Sequence, residues 1–171
     1  MEQKKQVRIS VRALVEFVLR SGDIDNRRSG AAQKDAMAAG TRIHKKIQKR
    51  MGGNYRAEVP LKYTALDEEE DIELLVEGRA DGIFEEDGIV TIDEIKGVYM
   101  DLERLTEPVA VHMAQAMCYG YFYCCDKDLD GIRLQMTYCN LETEEIKRFQ
   151  TERSREELET WFSSVVHEYF K

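Results

Sequence analysis

The sequence predicts an α/β (α+β) fold, a central mixed sheet flanked by helices, in one domain spanning residues 1–171. Two features carry this reading. Apolar stretches of period two cluster around a strong two-residue turn signal, Asp87-Gly88, and segments of helical period stand on either side of them. At 43% hydrophobic and 34% charged, with two prolines, the composition supports a packed core.

Taken in order, Ser10 caps a short helix over 11–19, with Val11, Leu14, Val15, Val18 and Leu19 on one stripe. A longer helix follows from about Ala31 to Met51 and stops at Gly52-Gly53. Strands are predicted at 55–64, 72–84 and 89–98, the last two joined by Asp87-Gly88. Pro108 opens an aromatic-rich helix through Cys124. Strands at 132–139 and 145–151 come next, and Ser154 starts a closing helix.

Net charge is −8, from 25 Lys+Arg against 33 Asp+Glu, which argues against a general nucleic-acid coat protein. The charge is unevenly spread. The segment 41–56 holds Arg42, Lys45, Lys46, Lys49, Arg50 and Arg56 with no acid, and Asp67–Asp71 is wholly acidic. The first reads as a surface for a phosphate backbone or as a solvated helix face; the second as a hairpin cap away from substrate. No apolar run nears the roughly 20 residues of a membrane span, and no signal-peptide core follows Met1, so a cytoplasmic protein without membrane partners is expected. Cys118, Cys124, Cys125 and Cys139 lack metal-knuckle spacing and read as packing residues.

The chemistry concentrates in 78–97. The pattern acid-x-Lys is weak alone and occurs three times, at Glu2/Lys4, Glu94/Lys96 and Glu145/Lys147. Hairpin geometry selects the second. With a two-residue turn at Asp87-Gly88, positions whose numbers add to 175 face each other, which opposes Asp81 to Glu94 and Ile83 to Ile92. Their Cβ atoms then stand about 4.5–5.5 Å apart. Lys96 follows on the same face, about 6.6 Å further along. Opposed carboxylates repel unless a proton or cation lies between them, and hard oxygen ligands point to Mg²⁺ or Mn²⁺. A solvated hairpin face, with Lys96 simply neutralising Glu94, explains the same residues. By contrast Asp130 and Glu145 fall in polar runs that read as solvent-facing turns. His44 offers a nitrogen ligand from the basic helix, and Glu58 a third carboxylate. His112, Gln115 and Tyr119 share one stripe of the later helix, while the neighbouring Tyr121, Phe122 and Tyr123 read as core.

The ordered stretches Gly40–His44, Ala57–Leu61, Val76–Asp81, Ile92–Gly97 and Gln115–Tyr119 together resemble the PD-(D/E)xK nuclease superfamily, in its RecB-like branch. The opening 9–17 and the segment after Lys96 resemble the N-terminal nuclease module of bacterial DinG-like helicases. The resemblance implies a restriction-endonuclease-like fold and a Mg²⁺- or Mn²⁺-dependent deoxyribonuclease, an exonuclease in DNA repair or recombination. It implies metal ligation by His44, Asp81, Glu94 and the Ile95 carbonyl, with Lys96 the catalytic lysine. Gln115 and Tyr119 are implied as the helix motif beside the site; the DNA contacts expected from the charge cluster are Arg42, Lys45, Lys46, Lys49 and Arg50. DNA is the expected partner, with a helicase in cis or in trans, and the chain is then one domain of a helicase–nuclease or a protein by itself. Some relatives hold an iron–sulfur cluster; with no cysteine before Cys118, none is expected here. Two other classes fit the same residues: a non-catalytic DNA-binding or docking module on a nuclease fold, and a nucleotide- or RNA-directed phosphodiesterase.

Overall fold

In the computed structural model, which describes residues 5–20 and 30–171 (side chains within 30–38 excepted), six strands form one mixed sheet flanked by four α-helices. The order is β1 (Lys5–Ser10), α1 (Val11–Val18), α2 (Gly30–Arg50), β2 (Arg56–Asp67), β3 (Ile72–Glu86), β4 (Ile89–Val98), a 3₁₀ turn (Leu102–Arg104), α3 (Ala110–Lys127), β5 (Gly131–Asn140), β6 (Ile146–Ser154) and α4 (Arg155–Tyr169). Glu2 and Lys4 lie outside the described residues. No helix among those described is long and apolar enough to cross a membrane.

The expected turn forms. Glu86 pairs with Ile89 across Asp87 (φ 53°) and Gly88 (φ 78°), the doubly left-handed geometry that matches strand twist in a two-residue hairpin. Ser10 Oγ accepts from the Ala13 N–H at 3.0 Å, and Ser154 with Glu157 makes a reciprocal capping box. One strand was not foreseen. Residues 5–10, expected only to lead into a helix cap, form β1, parallel to the first half of β3. Only Val7 and Ile9 mark it as a strand, too short an alternation to stand out in a charged terminus.

Successive residues of β4 and β5 divide the core between two faces. Ile92, Leu134, Met136 and Tyr138 join Val11, Leu14, Phe122, Leu158 and Phe162 under α1, α3 and α4. Ile95 and Cys139 point the other way, onto Ile43 and Ile47 of α2. Tyr63, Tyr121, Phe122 and Phe162 pack with ring centroids 5.1–6.3 Å apart, so the aromatic run of α3 is core as expected. Cys118 and Cys124 are buried in the first cluster and Cys139 in the second.

The sheet's consequential irregularity is on β3. One edge pairs with β2; the other is shared, β1 taking Ile72–Glu77 and β4 taking Gly82–Glu86. Between them Gly78–Asp81 have no strand partner on that edge among the described residues. Beyond Asp93, β4 leaves β3 and runs parallel beside β5 only. A gap therefore opens in the sheet where the strand order switches.

Candidate active site

The hairpin register runs as the turn requires: Ile83 faces Ile92 and Gly82 faces Asp93. The ladder stops there, one pair before Asp81 and Glu94. Asp81 interrupts it by turning its own side chain to the partner strand, where Oδ2 accepts from the Ile95 N–H at 2.7 Å. The β2 ladder also skips Asp81. Its expected partner Glu58 is left-handed (φ 55°), and Gln48 Nε2 of α2 donates both to the Asp81 carbonyl (2.9 Å) and to Glu58 Oε1 (3.0 Å). The core-facing set of β3 accordingly changes from even positions (Leu74, Val76, Ala80) to odd (Ile83) across Asp81, the mark of a local bulge-like distortion.

Around this break the predicted residues gather. His44 Nδ1 lies 3.5 Å from Asp81 Oδ1, and Lys96 Nζ lies 3.4 Å from Glu94 Oε1. Glu94 is 5% exposed, and its buried Oε2 has no hydrogen-bond partner among the described residues. Burial first, and then the Asp81 charge, push the Glu94 carboxyl well above the usual carboxylate range, against a lowering by Lys96. Ile95 supplies its N–H to Asp81 and buries its side chain under α2.

As the side chains stand, no group of three or more His, Cys, Asp or Glu among the described residues closes into a metal cage. The donors nevertheless suit a hard divalent cation: two carboxylates that repel, one with an orphaned buried oxygen, and an imidazole nitrogen beside the other. Asp81, Glu94 and His44 are the residues that would hold it.

The α3 wall closes the gap. A Cβ on Gly78 would come within 2.5 Å of the Tyr119 hydroxyl, so that glycine lets the phenol enter the unpaired edge. There Tyr119 accepts from the Arg79 backbone N–H, and burial together with Glu94 and Asp81 raises its pKa. Three backbone groups at the break find side chains: Arg79 N–H has Tyr119, Ile95 N–H has Asp81, and the Asp81 carbonyl has Gln48. Gln115 is buried on the same stripe. A groove of about 530 Å³ lined by Pro60, Lys62, Glu77 and Arg79 adjoins the gap.

The basic helix places its charges unequally. Ile43 and Ile47 face the core while His44 and Gln48 reach the site. Arg42, Lys45, Lys49 and Arg50 are exposed, but Lys46 is bound to Glu144 at 2.7 Å. Arg56 donates to the Tyr123 hydroxyl at 2.5 Å and covers its ring. The acidic turn 67–71 lies at the far end of β2 and β3, about 30 Å of strand from Asp81. The other described acid-x-Lys pair is structural: Glu145 is exposed, and Lys147 donates to the Leu102 and Leu105 carbonyls at 3.1 and 2.6 Å.

Sequence reasoning missed Gln48, whose signal was its place one turn after His44. It also missed the support behind Glu94. Asp93, fully buried on the opposite face, accepts from Tyr55 (2.7 Å), Gln135 (3.1 Å) and Thr137 (2.6 Å). Burial raises the Asp93 pKa, and these hydrogen bonds oppose the rise. Tyr55 reaches it across Gly82, where a Cβ would fall 1.9 Å from the phenol.

No protein-family model and no curated protein matches the chain. Among solved structures it is similar to one described as "Crystal structure of SSO0001", at 16% identity and a TM-score of 0.61 over 98% of this chain and 78% of that one. That likeness is one of fold.

Proposed function

We propose that the chain is a Mg²⁺- or Mn²⁺-dependent deoxyribonuclease of the PD-(D/E)xK type, hydrolysing phosphodiester bonds at the gap beside Asp81. The observation that carries this reading is the Glu94 carboxylate. It is buried against Asp81, with one oxygen on Lys96 and the other without a hydrogen-bond partner among the described residues. A buried, repelling acid pair is costly to a fold, and a bound divalent cation removes that cost where a proton would otherwise lie between the carboxylates.

Asp81, Glu94 and His44 would hold the ion, which would offset the paired charge and lower the pKa of a water. Lys96, restrained by Glu94, is placed to orient the attacking water and to donate to a phosphate oxygen as its negative charge grows. Asp81 also fixes the start of that segment through the Ile95 N–H, so Glu94 and Lys96 keep their relation to β3. Lys45, Lys49 and Arg42 on the outer face of α2 supply cations for the DNA backbone.

The test is cleavage of plasmid and end-labelled oligonucleotide in Mn²⁺ by the wild type, Asp81→Ala and Lys96→Ala. The expected result is cleavage by the wild type and a loss of about 100-fold or more in each variant. Equal cleavage by all three removes the site assignment. DNA binding without cleavage in any metal replaces the enzyme by a binding module.

A further inference from the structure

His112 has a defined chemical state and no role in the site as described. It lies on α3 one turn before Gln115 and two before Tyr119, partly buried where those two are buried. Its ring packs on Tyr138, centroids 5.7 Å apart, and Nδ1 lies 3.0 Å from the Tyr138 hydroxyl. In the parallel ladder Tyr138 is the direct partner of Lys96, so His112 stands over the strand next to the proposed catalytic lysine.

The tautomer follows from counting protons. Tyr138 is fully buried, and its oxygen already accepts from the Val109 backbone N–H at 3.0 Å. Its single proton needs an acceptor, and Nδ1 of His112 is the one in place. An Nδ1–H tautomer would aim a second donor at that oxygen and strand the phenol proton in the core. Nδ1 is therefore the acceptor and Nε2 carries hydrogen. A positive charge on the ring is disfavoured from every side that bears one: burial, then Lys96, then Arg12 hold its pKa down to about 4. Arg12 itself is paired with Glu16 at 3.0 Å.

We propose that His112 is a substrate-contacting residue, a neutral imidazole of fixed tautomer whose Nε2–H donates to a phosphate oxygen of the bound strand. The proposal rests on the phosphodiesterase reading above for the identity of the ligand. A neutral directional donor supplements Lys96 there without adding a second cation to a site that already holds one.

Two measurements test it. The first is long-range ¹H–¹⁵N correlation on histidine-labelled wild type at pH 7, with the His112 signals assigned through His112→Gln among the three histidines. Expected are an unprotonated Nδ1 and a protonated Nε2 whose shift moves on adding a short oligonucleotide in EDTA. The opposite tautomer, an imidazolium, or an unmoved Nε2 overturns the proposal.

The second is oligonucleotide affinity by fluorescence anisotropy in EDTA, where hydrolysis plays no part. His112→Phe should bind about tenfold more weakly with an unchanged log–log salt slope, since a neutral donor displaces no counterion. His112→Gln, whose amide nitrogen sits near the position of Nε2, should return to within about twofold of wild type. Wild-type affinity in His112→Phe overturns the role. If the wild type binds but never cleaves, while His112→Phe stays weakened, the hydrolysis reading falls and the phosphate contact stands. A wild type that binds no oligonucleotide removes both.

Discussion

At the scale of single residues, the site is a place where the chain keeps groups that a stable core would discard. Glu94 is the clearest case, because burial and Asp81 both oppose its charge. Without metal, Glu94→Gln should therefore unfold later in urea than the wild type, by about 1–3 kcal/mol near pH 8, while losing cleavage. The sign follows from linkage. A carboxyl with a raised folded-state pKa destabilises the fold above that pKa, and the penalty disappears as pH falls through it. The advantage of the variant should shrink in the same window. Equal stability at all pH would mean that Glu94 sits unstrained. The register of Ile83 with Ile92 was legible in the sequence because a two-residue turn sets parity across a hairpin. Asp81 and Glu94, expected as a later pair of that ladder, instead meet where the ladder has ended and Asp81 accepts from the Ile95 N–H. Tyr119 was legible only as part of a stripe. That it satisfies the Arg79 N–H depends on where β1 stops and β4 begins, which no local pattern contains.

At the scale of elements, the site is made by a handover. β1 leaves the β3 edge at Glu77, β4 joins at Gly82, and three side chains from α2, α3 and β3 cover the polar backbone between them. The helices and five of the strands follow from period, caps and turns; β1 did not, since Val7 and Ile9 alone make its apolar face. The connection from β4 to α3 is pinned from β6 by Lys147, which donates to the Leu102 and Leu105 carbonyls. The third acid-x-Lys pair of the sequence thus has a structural lysine, distinguished from Lys96 by facing carbonyls and not a carboxylate. Lys147→Met should raise the hydrogen-exchange rate of the Leu105 amide, whose bond to the Leu102 carbonyl closes that turn, by about tenfold or more. The rates of the β4 and β5 amides should be unaltered. An unchanged Leu105 rate would mean that the 3₁₀ turn holds itself.

For the whole molecule, a net charge of −8 coexists with a proposed polyanionic substrate because the signs are segregated. The acidic turn 67–71 lies far along β3 from Asp81, and the exposed cations of α2 lie beside the residues that reach the site. Structure refines what composition counted as six equal charges. Lys46 already has Glu144, and Arg56 has Tyr123. Lys49→Ala should accordingly lower the log–log salt slope of DNA binding by about one, and Lys46→Ala by clearly less. Equal slopes for the two variants would show that the Glu144 pair is irrelevant to DNA.

The central claim is that Asp81 and Glu94 are brought together to share a cation. Anomalous diffraction from crystals soaked in Mn²⁺ tests it most directly. A manganese peak bound by both carboxylates, and lost in Asp81→Ala, is the expected result. Saturating Mn²⁺ with no peak between them would contradict it.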